Sequence, residues 1–210
     1  MPHISIVIPC LNEQEVLPLL FARVDAALGS LSDTWDVVCV DDGSNDDTWK
    51  LLAQQQSRDT RWKALRFARN FGHQTAVSAG IFHTTGDVIV VMDADLQDPP
   101  EELPRFLDRW REGYQVVYAV RTKRKENLIK RLCYWGFYRL LSKITVNPIP
   151  LDTGDFCVMD RCVVDVLKQM PERNRFVRGL RAWVGFRQIG VPYDGIRFFE
   201  PLGELVGVMS

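Results

Sequence analysis

The 210-residue chain has no run approaching the ~18 to 20 uninterrupted apolar residues that a spanning helix needs. Residues Met1 to Pro9 carry no basic segment and too short an apolar stretch for a secretory signal. As it stands, the sequence is expected neither to cross a membrane nor to be exported by that route. An excess of one charge is also missing. There are 26 Lys and Arg against 27 Asp and Glu, giving a formal net charge of −1 and a pI near 6.3. No global pull toward nucleic acid or anionic lipid follows, so any polyanion site must be local and nucleic acid is not an expected partner. The five cysteines (Cys10, Cys39, Cys133, Cys157, Cys162) are odd in number and never form a CxxC pair. Most lie in apolar runs, as expected for reduced core residues of a cytosolic protein rather than a disulfide or zinc framework. There is no P-loop, no G-x-G-x-x-G after the first apolar run and no G-x-S-x-G. These gaps argue against a nucleotide hydrolase, a dinucleotide oxidoreductase and an α/β-hydrolase. A methyltransferase stays open on topology alone.

What is present is an α/β pattern. With 46% hydrophobic and 25% charged residues, the chain has the composition of one soluble domain able to bury a core. Short β-branched runs at Ile4 to Ile8, Trp35 to Val40, Lys63 to Phe67, Val88 to Met92 and Gln115 to Ala119 suit strands covered on both faces. Between them, Glu13 to Leu28, Asp46 to Gln56, Gln74 to His83 and Pro100 to Trp110 predict helices. This alternation predicts a doubly wound, mostly parallel sheet with helices on both faces. Ligands in such sheets bind beyond the carboxyl ends of the strands. After residue 120 the pattern changes to a C-terminal subregion. A basic run from Arg121 leads into an amphipathic, aromatic-rich stretch, Asn127 to Ile144. A strand is predicted at Phe156 to Met159, helices at Cys162 to Gln169 and Phe176 to Trp183, and late strands at Gly185 to Val191 and Ile196 to Phe199.

Two acidic motifs fall at strand ends. Val40-Asp41-Asp42-Gly43-Ser44 follows the second strand, where its carboxylates can face a base or ribose hydroxyls; helix capping explains the segment about as well. Met92-Asp93-Ala94-Asp95-Leu96-Gln97 follows the fourth. In extended backbone an Asp-x-Asp pair points to one side. Two such carboxylates with no neighbouring base repel unless a cation lies between them, and hard oxygen donors suit Mg²⁺ or Mn²⁺ completed by diphosphate oxygens.

These motifs, taken with Ile8-Pro9-Cys10-Leu11-Asn12-Glu13, Arg69-Asn70-Phe71-Gly72-His73, Asp98-Pro99-Pro100-Glu101 and Thr153-Gly154-Asp155-Phe156, resemble family 2 glycosyltransferases of GT-A fold. Within that family the sequence is most similar to the dolichyl- and polyprenyl-phosphate sugar synthases. The resemblance runs to about Arg197. It implies one GT-A domain over residues 1–210, with a nucleotide-sugar half at 1–120 and an acceptor- and membrane-facing half at 121–210. It also implies inverting transfer of a hexose from a UDP- or GDP-sugar to a polyprenyl phosphate, with Mg²⁺ or Mn²⁺, at the cytoplasmic membrane face.

Carried over by position, Pro9, Asn12, Glu13, Asp41, Asp42, Asp93 and Arg121 would bind the nucleotide-sugar. Asp93, Asp95 and Gln97 would hold the metal, and Asp95 and Asp155 would serve catalysis, Asp155 as the acidic residue beside the acceptor. Arg124, Lys125, Lys130 and Arg131 would meet the acceptor phosphate or the membrane. Cys10-Leu11 departs from the Thr-Tyr or Val-Tyr that commonly precedes Asn-Glu. Bacterial relatives commonly continue into two transmembrane helices, which are absent from the sequence as given. The aromatics and basic residues of the stretch from Arg121 to Ile144 favour membrane contact over a solvated helix whose apolar side packs on the domain, and a homo-oligomer is left open.

His73 can orient a phosphate or simply bond backbone at a helix start, whereas Arg173, Arg175, Arg178 and Arg181 read as a solvated helix face. The rival functions are extension of a polysaccharide by the same chemistry, or a non-catalytic nucleotide-sugar-binding subunit.

Overall fold

A computed structural model describes residues 1–121, 153–172 and 175–193. The basic aromatic stretch, with Arg124, Lys125, Lys130 and Arg131, lies outside these residues, as does the late strand predicted at Ile196 to Phe199.

Seven strands, β1 (His3–Cys10), β2 (Thr34–Asp41), β3 (Trp62–Arg66), β4 (Val88–Val91), β5 (Val116–Arg121), β6 (Thr153–Asp160) and β7 (Gln188–Tyr193), form one sheet in the order β3-β2-β1-β4-β6-β5-β7. Helices α1 (Leu17–Gly29), α2 (Thr48–Arg58), α3 (His73–Phe82), α4 (Leu103–Arg111), α5 (Arg161–Gln169) and α6 (Val177–Trp183) flank it, with a 3-10 turn at Pro100–Glu102 ahead of α4. Every strand predicted within the described residues forms. The first helix starts at Leu17 rather than Glu13, because residues 14–16 close a turn on the Glu13 carbonyl.

Strand alternation explains the two-sided core. Ile4, Ile6 and Ile8 of β1 pack with Leu17, Leu20 and Phe106 on one face, while Val7 packs with Val77, Ile81 and Val163 on the other. Burial of both faces accounts for the apolar residues of β1, each large side chain contributing about 1.5–3 kcal/mol, and the buried Ser5 between them donates to Asp36. The helix α3 lies close on β1: a Cβ added at Gly80 would sit 2.2 Å from Val7 Cγ1.

All pairings among β1 to β4 are parallel, so Cys10, Asp41, Arg66 and Val91 end at one edge of the sheet. The order reverses between β1 and β4, which opens the crevice where α/β sheets bind ligands. Strand β6 runs the other way, antiparallel to both β4 and β5, with Cys157 opposite Val91. Its first residues therefore start at the edge where β4 stops. Asp93 and Asp155 each lie two residues beyond the Val91–Cys157 pair, and His73 reaches both. Arg121 ends β5.

Candidate active site

The loops leaving β1 and β2 are stitched together. Asn12, with φ 55°, donates its backbone N–H to Ser44 Oγ at 2.9 Å, and its side-chain oxygen accepts from Asn45 N–H at 2.9 Å. The Glu13 N–H donates to Thr48 Oγ1 at 2.7 Å. Pro9 lies within β1, buried, opposite Val40. Gly43 must turn with φ +75°, and a Cβ there would meet the Arg69 carbonyl carbon at 2.5 Å.

Both aspartates of the β2 exit are buried and already engaged. Asp41 Oδ1 accepts from Ser44 N–H at 2.9 Å, and its Oδ2 pairs with Arg66 Nε at 3.2 Å. Asp42 accepts the Phe71 and Gly72 N–H groups at 2.7 and 2.9 Å, anchoring the 70–72 loop. The Asp41 Oδ2 contact with Arg66 is an ion pair without hydrogen-bond geometry. The surface that the two aspartates support is a cleft of about 620 Å³ lined by Gly43, Ser44, Asn45 and the segment 66–70. The Arg66 guanidinium lies 5.5 Å from the centre of the Trp49 ring. With Arg66 and Arg69 supplying cations, Phe67 an aromatic ring, and Ser44, Asn45 and Asn70 polar groups, the lining suits a planar, polar ligand carrying negative charge.

The Asp-x-Asp pair is not extended. Strand β4 stops at Val91, and residues 94–98 turn, with Leu96 at φ 58° and the Gln97 N–H donating to Asp95 Oδ1 at 3.0 Å. Strand alternation therefore does not align Asp93 and Asp95; the turn gathers them with Glu13 and Asp46 into an acidic corner. Burial, then Asp95, Asp46 and Asp93, push the Glu13 carboxyl up to about 7. Among the described residues, no three His, Cys, Asp or Glu side chains form a ready metal cage. Two hard carboxylates whose repulsion a cation would relieve nonetheless fit an Mg²⁺ or Mn²⁺ that takes its other ligands from a diphosphate and water.

This corner makes a pH prediction. A carboxyl with a raised folded-state pKa supports the fold below its ordinary value of 4.5 and loses that support as the pH rises through about 7. Without metal, Glu13→Gln is expected to melt a few degrees higher than the parent at pH 8 and equally at pH 4. Half-exposure keeps the effect on the order of 1 kcal/mol. Parallel melting curves for parent and variant in chelator at the two pH values would refute it.

His73, at the start of α3, lies between Asp93 and Asp155. Gln74 Nε2 donates to His73 Nδ1 at 3.2 Å, which leaves the ring proton on Nε2, 2.9 Å from Asp93 Oδ1. The Asp93 carboxylate holds the imidazole above its ordinary pKa, with burial opposing. His73 Nδ1 is 3.8 Å from Asp155 Oδ2, and Gln74 Nε2 also donates to that oxygen at 3.4 Å. The Gln74 Oε1 accepts from Val177 N–H at 3.0 Å, pinning the start of α6. Asp155, mostly buried, pairs with Arg178 at 3.4 Å. The fold thus brings Asp93, His73, Gln74, Asp155 and Arg178 into one hydrogen-bonded chain. Gln74 gave no separate signal in the sequence. It follows the Arg69-to-His73 motif directly, and that adjacency was the one available pointer.

A mostly parallel, two-sided sheet with an Asp-x-Asp turn at its switch point defines a GT-A-like fold. Residues 5–167 match the family Glycosyl transferase family 2, and the chain belongs to it. It is 47% identical over 190 residues to an uncharacterized glycosyltransferase, YkcC, of Bacillus subtilis, covering 90% of this chain and 59% of the relative. It is 38% identical to the bactoprenol glucosyl transferase of Shigella phage SfX, covering 90% and 63%, respectively. To the undecaprenyl-phosphate 4-deoxy-4-formamido-L-arabinose transferase of Klebsiella pneumoniae it is 34% identical, covering 90% and 58%. The chain thus spans about three fifths of the length of these relatives. Among solved structures, it superposes on a mannosyltransferase from Pyrobaculum calidifontis in complex with GDP-Man and Mn²⁺ with TM-score 0.59 and 20% identity, covering 91% of this chain and 55% of that one. On mannosyl-3-phosphoglycerate synthase from Rubrobacter xylanophilus the TM-score is 0.61 at 18% identity, covering 94% and 68%. At these identities the likeness concerns the fold.

Proposed function

We propose that this chain is the catalytic part of an inverting glycosyltransferase that moves a hexose from a UDP- or GDP-sugar to a polyprenyl phosphate at the cytoplasmic membrane face. The observation that supports the reading is the bonded chain from Asp93 through His73 and Gln74 to Asp155, in which Asp93 would face the donor diphosphate and Asp155 the acceptor. The phage and Klebsiella relatives, a bactoprenol and an undecaprenyl-phosphate transferase, support the acceptor class.

In this reading the cleft beside Arg66 takes the nucleoside, and the diphosphate lies toward Asp93, Asp95 and Gln97. Those residues would hold Mg²⁺ or Mn²⁺, which when bound offsets negative charge on the leaving diphosphate. His73 fixes the orientation of Asp93. The acceptor's phosphate oxygen is already anionic at neutral pH and attacks the sugar carbon from the face opposite the departing diphosphate, so no base has to remove its proton. Asp155 instead orients groups on the acceptor side. Arg121 and the basic residues Arg124, Lys125, Lys130 and Arg131 would attract the lipid phosphate and the membrane surface.

Radiolabelled UDP- and GDP-hexoses offered with Mn²⁺ to polyprenyl phosphate and to oligosaccharides test the reading. Label is expected in the lipid fraction. Label found solely in oligosaccharide would replace the acceptor class.

A further inference from the structure

The arginines of the C-terminal subregion read in the sequence as a solvated helix face, yet two of them turn inward. Arg178 and Arg181, three residues apart on α6, face β6, where Asp155 and Cys157 share one side of the strand. Arg178 Nε lies 3.4 Å from Asp155 Oδ1, and its Nη2 lies 3.4 Å from Oδ2. Arg181 is only 3% exposed, lies 5.5 Å from the centre of the Tyr118 ring, and offsets part of the rise that burial imposes on the Cys157 thiol. Among the described residues no carboxylate pairs with Arg181, and its Nε has no hydrogen-bond partner. Among the described residues, then, two guanidiniums lie against β6, one paired with Asp155 and the other with no carboxylate, so that a positive charge is left over in a corner largely withdrawn from water. An uncompensated charge in such a place is costly, and an anion relieves it.

The corner is also well placed and firmly held. Gln74 ties Asp155 to the start of α6, and His73 links the same group to Asp93, beside which the donor sugar would lie. Arg178 keeps 30% of its side chain exposed, so it can be reached from outside. With Nε and Nη2 turned to Asp155, its remaining N–H donors are available to phosphate oxygens.

We propose that Arg178, backed by the buried Arg181, receives the phosphate of the lipid acceptor, and that Asp155 holds the Arg178 fork in position. This deepens the polyprenyl-phosphate reading and rests on it. It also accounts for a carboxylate beside an anionic acceptor: paired with Arg178, Asp155 no longer repels the phosphate.

The test compares the parent chain with Arg178→Gln and Arg178→Lys, using undecaprenyl phosphate in detergent micelles as acceptor. Calorimetric titration of UDP and GDP with Mn²⁺ reads the donor side separately. Arg178→Gln is expected to raise the acceptor KM roughly 10- to 100-fold with nucleotide affinity unchanged. Arg178→Lys, which keeps the charge but not the fork, should fall between. Transfer by Arg178→Gln at an unchanged acceptor KM overturns this inference and leaves the proposed function standing. Loss of nucleotide affinity in step with transfer also overturns it, by making Arg178 a donor-side or structural residue. No transfer to undecaprenyl phosphate by the parent chain, with either nucleotide-sugar, sinks the acceptor reading and this inference together.

Discussion

Asp95→Asn is expected to remove metal-dependent donor binding while the fold survives. The carboxylate sits in a turn beyond β4, outside the apolar clusters, so neutralising it opens no cavity in the core. Relief of repulsion around Glu13 should, if anything, steady the apoprotein. The donor diphosphate, by contrast, would lose a hard oxygen that helps hold its cation. Changing groups that merely support a metal ligand typically costs 10- to 100-fold in affinity or activity, so removing a direct ligand should cost on the order of 10² or more. Calorimetric titration of UDP- and GDP-sugars, in Mn²⁺ and in chelator, checks this. Equal affinities for parent and variant in Mn²⁺ would remove Asp95 from the metal site, and full parent activity after exhaustive chelation would remove the metal itself.

The second large effect belongs to Asp155. Asp155→Asn keeps the side chain's size and one acceptor oxygen, so β6 and its pairing with β4 should persist. Donor and metal affinity should persist too, because Asp95, Gln97 and the Arg66 cleft are untouched. What disappears is the charge that aligns Arg178 and faces His73. Transfer is expected to fall by ~10² or more with donor affinity intact, the signature of an interaction that matters in the transition state. A folded variant that transfers near the parental rate would reassign Asp155 to a structural role, holding β6 to Gln74 and Arg178.

Much of this architecture is legible in the sequence because burial follows period. Val37 to Val40 and Val88 to Val91 read as strands since both faces are covered, and the acidic motifs stand out because apolar runs end abruptly in carboxylates. Periodicity also locates the helices to within a few residues. The early start given to α1 reflects Glu13 and its neighbours fitting a helical pattern while their backbone closes onto the 44–48 loop instead.

Strand direction is not a local property, and it decided the rest. Nothing in Thr153 to Asp160 says that this strand runs antiparallel between β4 and β5, because alternation is the same in either direction. That reversal brings Asp155 beside Asp93, and a parallel strand would have carried it to the opposite edge. Side-chain roles depended on the same long-range placement. The bonds that Asp42 accepts from the Phe71 and Gly72 N–H groups, and the Asp41–Arg66 ion pair, exist only once the 66–72 segment has folded against the end of β2. The Asp-x-Asp pair gathers by a turn through Leu96 rather than by strand alternation. Arg178 and Arg181 resemble solvated charges until α6 is pinned by Gln74 against β6. Local sequence fixes which residues are apolar, charged or able to turn; which charge meets which is set by contacts between segments as far apart as Gln74 and Val177, and those exist only once the chain has folded.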